Sequence, residues 1–174
     1  TVIENFMTDR AVAQSSARAD FAGSGIQRIA VVSRLDPVKR VDVLLQALEQ
    51  NPDLQRIEVN VFGTGWDSQA LQDRAVRSKL NVKFEGFQSN AGDRLAEADL
   101  LVHLCPEEPF GLAILEAMAA RIPVLVPDTG GAAALVEQDH SGFHFEANNP
   151  QSLAQAIRRI DGLSPAILNG IVHN

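Results

Sequence analysis

The sequence is poor in the residues that build disulfide frameworks and multi-cysteine metal sites. Its 174 residues include one cysteine, Cys105, which excludes an internal disulfide and any zinc site made of several cysteines. No apolar run is long enough to span a membrane, and the N-terminus lacks the basic flank of a signal peptide. A single cysteine fits a reducing compartment. We therefore expect a cytoplasmic protein.

Basic residues are also scarce relative to acidic ones. Fifteen lysines and arginines stand against 22 aspartates and glutamates, which gives a formal net charge of -7. This charge repels phosphate polymers and anionic lipid at long range, so neither nucleic acid nor a membrane is expected as a default partner. An anionic ligand must instead be held by a few local cations and by backbone dipoles.

What is present is the pattern of an α/β protein. Hydrophobic residues make up 45% and charged residues 21% of the chain, enough to build the core of about one domain. Short β-rich runs alternate with helical stretches between turns. We predict six strands, at 28–33, 57–62, 82–84, 99–104, 123–126 and 143–146. We predict six helices, at 41–50, 66–78, 91–98, 111–120, 132–138 and 150–160. The alternation predicts a doubly wound, mainly parallel sheet.

The chain divides into three predicted segments. Residues 1–25 are predicted as a linker or N-terminal segment, 26–161 as the α/β domain, and 162–174 as a C-terminal tail that could dock elsewhere. The first residue is Thr1 and not Met, so we expect a piece of a longer polypeptide.

Two cations follow the first predicted strand. Ligands of open parallel sheets bind outside the carboxyl ends of the strands, and Arg34 and Lys39 lie in such a loop. Together their side chains could neutralise a diphosphate. The alternative is that they are ordinary loop cations, or that they pair with Asp36 or Asp42.

The predicted helix at 111–120 is apolar on every face, so we expect it to be buried on all sides. Its only charge is Glu116, which needs a polar partner. That partner is either Arg121 or another cation, or the hydroxyl groups of a ligand. Glu108 precedes it by eight positions, up to ~12 Å along a helix axis. We interpret the two carboxylates as contacts at opposite ends of an elongated ligand, and not as an acid–base pair.

Glycines follow the second and fifth predicted strands. Gly63 and Gly65, and the pair Gly130-Gly131, allow the backbone to approach a ligand closely. The first group lacks the third glycine of the dinucleotide fingerprint, so NAD is not expected. The sequence also has no Walker loop and no Asp-x-Asp motif. We expect no metal and no cofactor.

The remaining chemically active side chains have simpler interpretations. His103 ends the fourth predicted strand, and we favour a hydrogen-bonded structural role for it. His140 and His144 have no cysteine or carboxylate at ligand spacing, so metal binding is not expected there. Cys105 is interpreted as a small, partly buried side chain.

Four stretches occur in an order that resembles a known family. They are Ser33-Arg34-Leu35-Asp36-Pro37-Val38-Lys39, Val61-Phe62-Gly63-Thr64-Gly65, residues 108–119 with a Glu-x7-Glu pattern, and Asp128-Thr129-Gly130-Gly131. They resemble the C-terminal, donor-binding domain of glycosyltransferase family 4. These are retaining enzymes with the GT-B fold, in which two Rossmann-like domains face a cleft.

The resemblance implies a binding mode for a nucleotide diphosphate sugar. Arg34 and Lys39 hold the leaving diphosphate, and they form the catalytic set together with Glu108. Glu116 accepts the ribose hydroxyls of the nucleotide. The backbone groups that face the sugar, the phosphates or the base are those of Phe110, Gly111, Leu112, Gly86 and Phe87.

The resemblance also implies a reaction. A sugar passes from a donor such as a UDP-sugar or GDP-sugar to an acceptor with retained configuration, without a metal. The acceptor is bound by an N-terminal domain missing from this chain, which alone is expected to be inactive. Whether the full-length enzyme is peripheral to a membrane is left open.

This chain departs from the family pattern in places. Arg40 and Arg121 stand where the family often has glycine, which affects turns more than chemistry. Ala134 replaces a frequent carboxylate, and Leu104-Cys105 replaces the usual Pro-Ser. Two alternatives stay open: a nucleotide-sugar epimerase or glycan phosphorylase of the same fold, and a non-catalytic flavodoxin-like interaction module in which Glu116 is satisfied internally.

Overall fold

The predicted strands pair into one parallel sheet in the computed structural model, which describes residues 17–23, 25–88 and 94–174. The strands are β1 (Arg28–Val32), β2 (Glu58–Phe62), β3 (Val82–Gly86), β4 (Leu100–Val102), β5 (Val124–Pro127) and β6 (Phe143–Phe145). The sheet order is β3-β2-β1-β4-β5-β6, and all neighbouring strands are parallel. This is the doubly wound, Rossmann-like order, so the predicted fold class is confirmed.

Helices cover both faces of this sheet. They are α1 (Val41–Gln50), α2 (Ser68–Arg77), α3 (Leu112–Ala119), α4 (Gly130–Leu135), α5 (Pro150–Asp161) and α6 (Pro165–Val172). Two 3-10 turns, Pro37–Lys39 and Pro52–Arg56, connect elements. The predicted helix at 91–98 and the predicted segment 1–25 lie partly outside the described residues. None of the helices in the described part of the chain is both long and apolar enough to cross a membrane.

The burial of β1 explains its continuous apolar sequence. Ile29 and Val31 pack into the core on one face of the sheet, and Ala30 packs into the core on the other face. A central parallel strand covered on both sides needs apolar residues at successive positions. The cores on both faces of the sheet therefore pack on β1, and this packing fixes the position of the loop that follows β1.

The last helix packs on this domain. Leu168 and Ile171 are buried in the core, and the Asn169 side chain bonds the backbone of Phe21 twice, accepting from its N–H at 2.8 Å and donating to its carbonyl at 3.1 Å. Most of the segment predicted as a tail is thus a helix that docks on the α/β domain itself.

The prediction that the helix at 111–120 is buried on all sides is wrong. Ile114 and Ala117 of α3 are buried, but Leu112 on the other side is 42% exposed. A helix beside a sheet covers only the face that meets the strands, and apolar composition does not reveal whether anything covers the opposite face. Leu112 and Glu116, four positions apart, share that outer side.

The glycines after β2 serve a close approach within the chain. A Cβ atom at Gly65 would overlap the backbone of Leu35, and the Leu35 N–H donates to the Thr64 carbonyl at 3.0 Å. A Cβ atom at Gly63 would overlap the Ser33 carbonyl. The loop after β2 therefore packs backbone to backbone on the loop after β1.

Replacing Gly65 should lower stability measurably. Gly65→Ala forces the Leu35 backbone to move, and overpacking of this kind costs about 1–3 kcal/mol. Gly170→Ala is the matched control, because Gly170 lies in α6 with open space around it. The control should gain about 0.5–1 kcal/mol from helix propensity. Urea unfolding measures both, and a Gly65→Ala protein as stable as the parent would contradict this packing.

Candidate active site

The candidate site lies at the carboxyl edge of the sheet, where β1 and β4 are neighbours. The chain continues from β1 toward β2 on one side, and from β4 toward β5 on the other. Loops diverge at such a switch point and leave a crevice that binds ligands in open α/β sheets. The loop after β1 carries Arg34 and Lys39, and the loop after β4 carries Glu108.

Lys39 and Glu108 meet across this crevice. The Lys39 Nζ lies 2.7 Å from the Glu108 Oε2, and the two side chains are only 17% and 14% exposed. The 3-10 turn Pro37–Lys39 positions the lysine, and it ends at Arg40 in a left-handed conformation with φ of 55°. Lys39 is therefore not a solvated loop cation but half of a mostly buried ion pair.

Glu108 is held from its other side by the start of α3. Its Oε1 accepts from the Gly111 N–H at 3.3 Å and more weakly from the Phe110 N–H at 3.5 Å. Burial raises the pKa of the Glu108 carboxyl, but the Lys39 ammonium and the Gly111 N–H outweigh it and hold the pKa below its ordinary value. Glu108 is thus charged at neutral pH. It accepts from the Phe110 and Gly111 N–H groups, which the family resemblance implies for the ligand.

His103 lies beneath this pair. It is 6% exposed, and its Nε2 is 3.7 Å from the Glu108 Oε2. Among the described residues this Nε2 has no hydrogen-bond partner, although the ring is also hydrogen bonded to the Cys105 backbone, in line with the hydrogen-bonded role that we favoured. Burial lowers the pKa of His103, with Lys39 adding to the effect and Glu108 opposing it, so the imidazole is neutral at neutral pH.

Arg34 occupies the neighbouring part of the crevice. Its side chain is 74% exposed and lies 3.1 Å from the Asp36 carboxylate, which is the pairing that the sequence left open. Arg34 also lines a pocket of about 270 Å³ at the carboxyl ends of β1, β2 and β3. The other lining residues are Val32, Ser33, Phe62, Gly63, Thr64, Phe87 and Gln88. Gly86, with φ of 69°, turns the chain so that Phe87 reaches this pocket.

Glu116 lies in the middle of α3, and it forms no ion pair with another described residue. It is half-buried, and in the described part of the chain no cation or hydrogen-bond donor meets its carboxylate. Burial raises the pKa of Glu116 above its ordinary value. Arg121, the structural partner that the sequence left open, is exposed, so the described residues do not satisfy Glu116 internally.

The double glycine after β5 fixes the loop that carries Glu108. A Cβ atom at Gly130 would overlap the Pro106 carbonyl, and one at Gly131 would overlap the Glu108 carbonyl. Both glycines begin α4, two residues earlier than the start predicted at 132. Their close approach is to the chain's own backbone, and it sets where Glu108 can lie.

The structure thus brings Lys39 and Glu108 into direct contact and places Arg34 in the pocket beside Phe87. Sequence reasoning did not identify His103, Ser33 or Gln88 as site residues. His103 lies near the ion pair only because the fold brings it there. Ser33 and Gln88 line the pocket because they are the sequence neighbours of Arg34 and Phe87. Ser33 is the first residue of a motif stretch that was assigned to its cations, and no motif marks His103 or Gln88.

Replacing Glu116 should change how stability depends on pH. A carboxyl whose pKa is higher in the folded state destabilises the fold when it is charged, and the penalty disappears below the unfolded pKa, about 4.3. Glu116→Gln should therefore raise the melting temperature at pH 7, with the gain shrinking to nothing below about pH 4. Glu137→Gln, at an exposed position, is the control, and it should leave the melting temperature unchanged at both pH values. A lower melting temperature for Glu116→Gln at pH 7 would contradict the unpaired carboxylate.

Comparison with known proteins places this chain in a family. The family described as "Glycosyl transferases group 1" matches residues 20–161. The D-inositol 3-phosphate glycosyltransferase of Mycobacteroides abscessus is 30% identical over 151 residues, which cover 83% of this chain and 34% of the relative. The chain spans about a third of the length of the first curated relatives that it matches.

Solved structures agree with this assignment. Anabaena Alr3699/HepE in complex with UDP and glucose has a TM-score of 0.77 and 30% identity, covering 84% of this chain and 41% of that one. The C-terminal domain of a group 1 glycosyl transferase, LpcC from Francisella tularensis, has a TM-score of 0.75 and 20% identity, covering 87% of this chain and 83% of that one; this likeness concerns the fold. With the family match across most of its length, the chain belongs to the group 1 glycosyl transferases.

Proposed function

We propose that this chain is the donor-binding domain of a retaining, metal-independent hexosyltransferase that uses a nucleotide diphosphate sugar. The observation that carries the proposal is the contact between Lys39 and Glu108 at the switch point, 2.7 Å apart. It provides a cation for phosphate and a charged acceptor for hydroxyl groups in one crevice. A similar chain, Anabaena HepE, is described in complex with UDP and glucose, which supports a UDP-sugar over a GDP-sugar.

The diphosphate binds to Lys39 and Arg34. Each cation is paired with a carboxylate, Glu108 or Asp36, and a diphosphate carries enough negative charge to compete for both. Arg34 is mostly exposed and free to turn, and its guanidinium can bind two phosphate oxygens at once. As the sugar bond breaks, the two cations stabilise the charge that develops on the leaving diphosphate. This is the work that a divalent metal does in other transferases.

The sugar binds beside Glu108. Its carboxylate is fixed by the Gly111 N–H and stays charged at neutral pH, so it can accept hydrogen bonds from sugar hydroxyls once Lys39 turns to the phosphates. The Glu108 carboxylate accepts from the Phe110 and Gly111 N–H groups, so the Leu112 N–H at the start of α3 is the backbone donor that we assign to the sugar. Gly130 and Gly131 keep this loop in place.

The ribose and the base of the donor bind on opposite sides of the pair formed by Lys39 and Glu108. Glu116 accepts the ribose hydroxyls, which would give its half-buried carboxylate the partners that the described residues do not provide. The base lies against the backbone of Gly86 and Phe87, at the pocket of about 270 Å³ that Arg34 also lines. Gly63 lines this pocket, and Gly65 supports its wall by packing on the loop after β1.

Substitutions at Lys39 and at Glu108 should affect UDP affinity differently. Lys39→Ala removes a charge-assisted contact of about 1.5–3 kcal/mol, which weakens UDP binding about 10- to 100-fold. Glu108→Gln removes the carboxylate that competes for Lys39, so UDP should bind as tightly as to the parent or more tightly. Glu116→Gln should weaken UDP binding, because it removes the carboxylate that accepts from the ribose hydroxyls. Calorimetry of the 174-residue chain with UDP measures all three.

Arg77→Ala is the matched charge control for Lys39→Ala. Arg77 is exposed at the end of α2, and the variant makes the same change in net charge. It should leave UDP affinity within about twofold. Equal weakening by Arg77→Ala and Lys39→Ala would mean that the global charge, and not this crevice, governs binding.

The acceptor is bound by a second domain that faces this crevice in the full-length enzyme, which we place in the cytoplasm. The 174-residue chain alone should therefore bind donor weakly and transfer no sugar, because catalysis needs both reactants held in position. Incubation with UDP-glucose and candidate acceptors, followed by mass spectrometry, tests this. Transfer by the chain alone would contradict the two-domain proposal, and product of inverted anomeric configuration from a full-length enzyme would contradict retention.

A further inference from the structure

Beside the ion pair, three side chains bring together atoms that bind transition metals. The His103 imidazole nitrogen, the Cys105 Sγ and a Glu108 carboxylate oxygen all lie within 4.8 Å of one another. Nitrogen, sulfur and oxygen form a mixed donor set that suits Zn²⁺. None of the roles proposed above uses His103 or Cys105.

The His103 Nε2 is an independent sign that something polar belongs here. Buried polar atoms are normally hydrogen bonded, yet this one has no partner among the described residues although its residue is 6% exposed. Its distance of 3.7 Å from the Glu108 Oε2 is too long for a hydrogen bond. It matches the separation of two ligands on a tetrahedral zinc, roughly 3.3–3.8 Å for zinc–ligand bonds of about 2.0–2.3 Å.

The fold explains why the three groups meet. His103 and Cys105 directly follow β4 and are two positions apart, the spacing that puts side chains on one face of an extended chain. Glu108 returns to them because the Gly111 N–H holds one of its oxygens and because Gly131 lets α4 pack on its carbonyl. Zinc would therefore bind to a set of ligands that the fold has already brought close.

Lys39 competes with a metal for the same carboxylate. Its Nζ lies 2.7 Å from the Glu108 Oε2, so a metal ion can take that oxygen only when the ammonium turns away. The long lysine side chain can do this, since it is flexible and reaches water. A cysteine binds zinc as its thiolate, so the bound metal displaces the thiol proton.

We propose that His103, Cys105 and Glu108 form a zinc-binding site in which Zn²⁺ replaces Lys39 as the cation on Glu108. The site stands on this geometry alone. Its consequence for transfer rests on the proposed function: zinc takes Glu108 away from the sugar, so the ion inhibits and does not take part in the reaction.

Cobalt titration of the reduced, metal-free 174-residue chain tests the site directly, without nucleotide. Co²⁺ bound to Cys105 should give a thiolate-to-cobalt charge-transfer band in the near ultraviolet, together with the intense visible bands of tetrahedral cobalt. Zn²⁺ should abolish both by displacement. This measurement needs no variant, and it does not depend on donor binding, so its failure is distinct from a failure of the proposed function.

Variants then identify the ligands. Cys105→Ser and Glu108→Gln change little in size, and each should weaken Zn²⁺ binding at least about tenfold; Cys105→Ser should also abolish the charge-transfer band. His140→Gln removes an exposed histidine and should leave Zn²⁺ affinity within about twofold. Thermal unfolding without metal confirms that each variant is folded.

Two results would overturn the site. One is Co²⁺ binding without a thiolate band, which means that the ion sits on surface histidines or carboxylates. The other is equal Zn²⁺ affinity in the parent and in folded Cys105→Ser.

Discussion

The contact between Lys39 and Glu108 holds the two sides of the crevice together. The residues are 69 positions apart in sequence, one following β1 and the other following β4. Removing both groups from water is costly, and their attraction offsets that cost only with good geometry and further hydrogen bonds. The Gly111 N–H provides one such bond. The same arrangement keeps Glu108 charged, which is what a ligand rich in hydroxyl groups requires of it.

This contact depends on backbone packing more than on side chains. The loop after β2 lies directly on the loop after β1 at Gly63 and Gly65, and α4 begins directly on the Glu108 loop at Gly130 and Gly131. A side chain at Gly65 or Gly131 would push the loops apart. The glycines of these motifs thus shape the site through the protein's own backbone, in addition to any approach to a ligand.

Two departures from the family pattern fall at positions with left-handed backbone. Arg40 and Arg121, at positions where glycine is frequent, adopt left-handed backbone with φ of 55° and 58°. A side chain there costs roughly 1–2 kcal/mol. At Arg40 a contact with Asp42 at 3.2 Å and a hydrogen bond to Asn148 offset the strain. The turn before α1 is retained, and with it the position of Lys39.

Much of the fold could be predicted because local patterns determine it. The 3.6-residue spacing of Val41, Leu44 and Leu48 predicts a helix at 41–50. The structure confirms it, and all three side chains are buried. The burial of α3 could not be predicted in this way, because apolar composition does not tell which face is covered. Likewise the sequence put Lys39 and Glu108 in loops of one edge but not in contact. Their separation and the position of His103 below them depend on tertiary packing.

The most direct test of the account is a crystal structure of this chain with UDP. The account predicts a diphosphate within hydrogen-bond distance of Lys39 and Arg34, ribose hydroxyls at Glu116, and the uracil against Gly86 and Phe87. In that complex Lys39 should have left the Glu108 carboxylate for a phosphate oxygen. A UDP molecule bound elsewhere on the sheet, with Lys39 and Glu108 still paired, would contradict it.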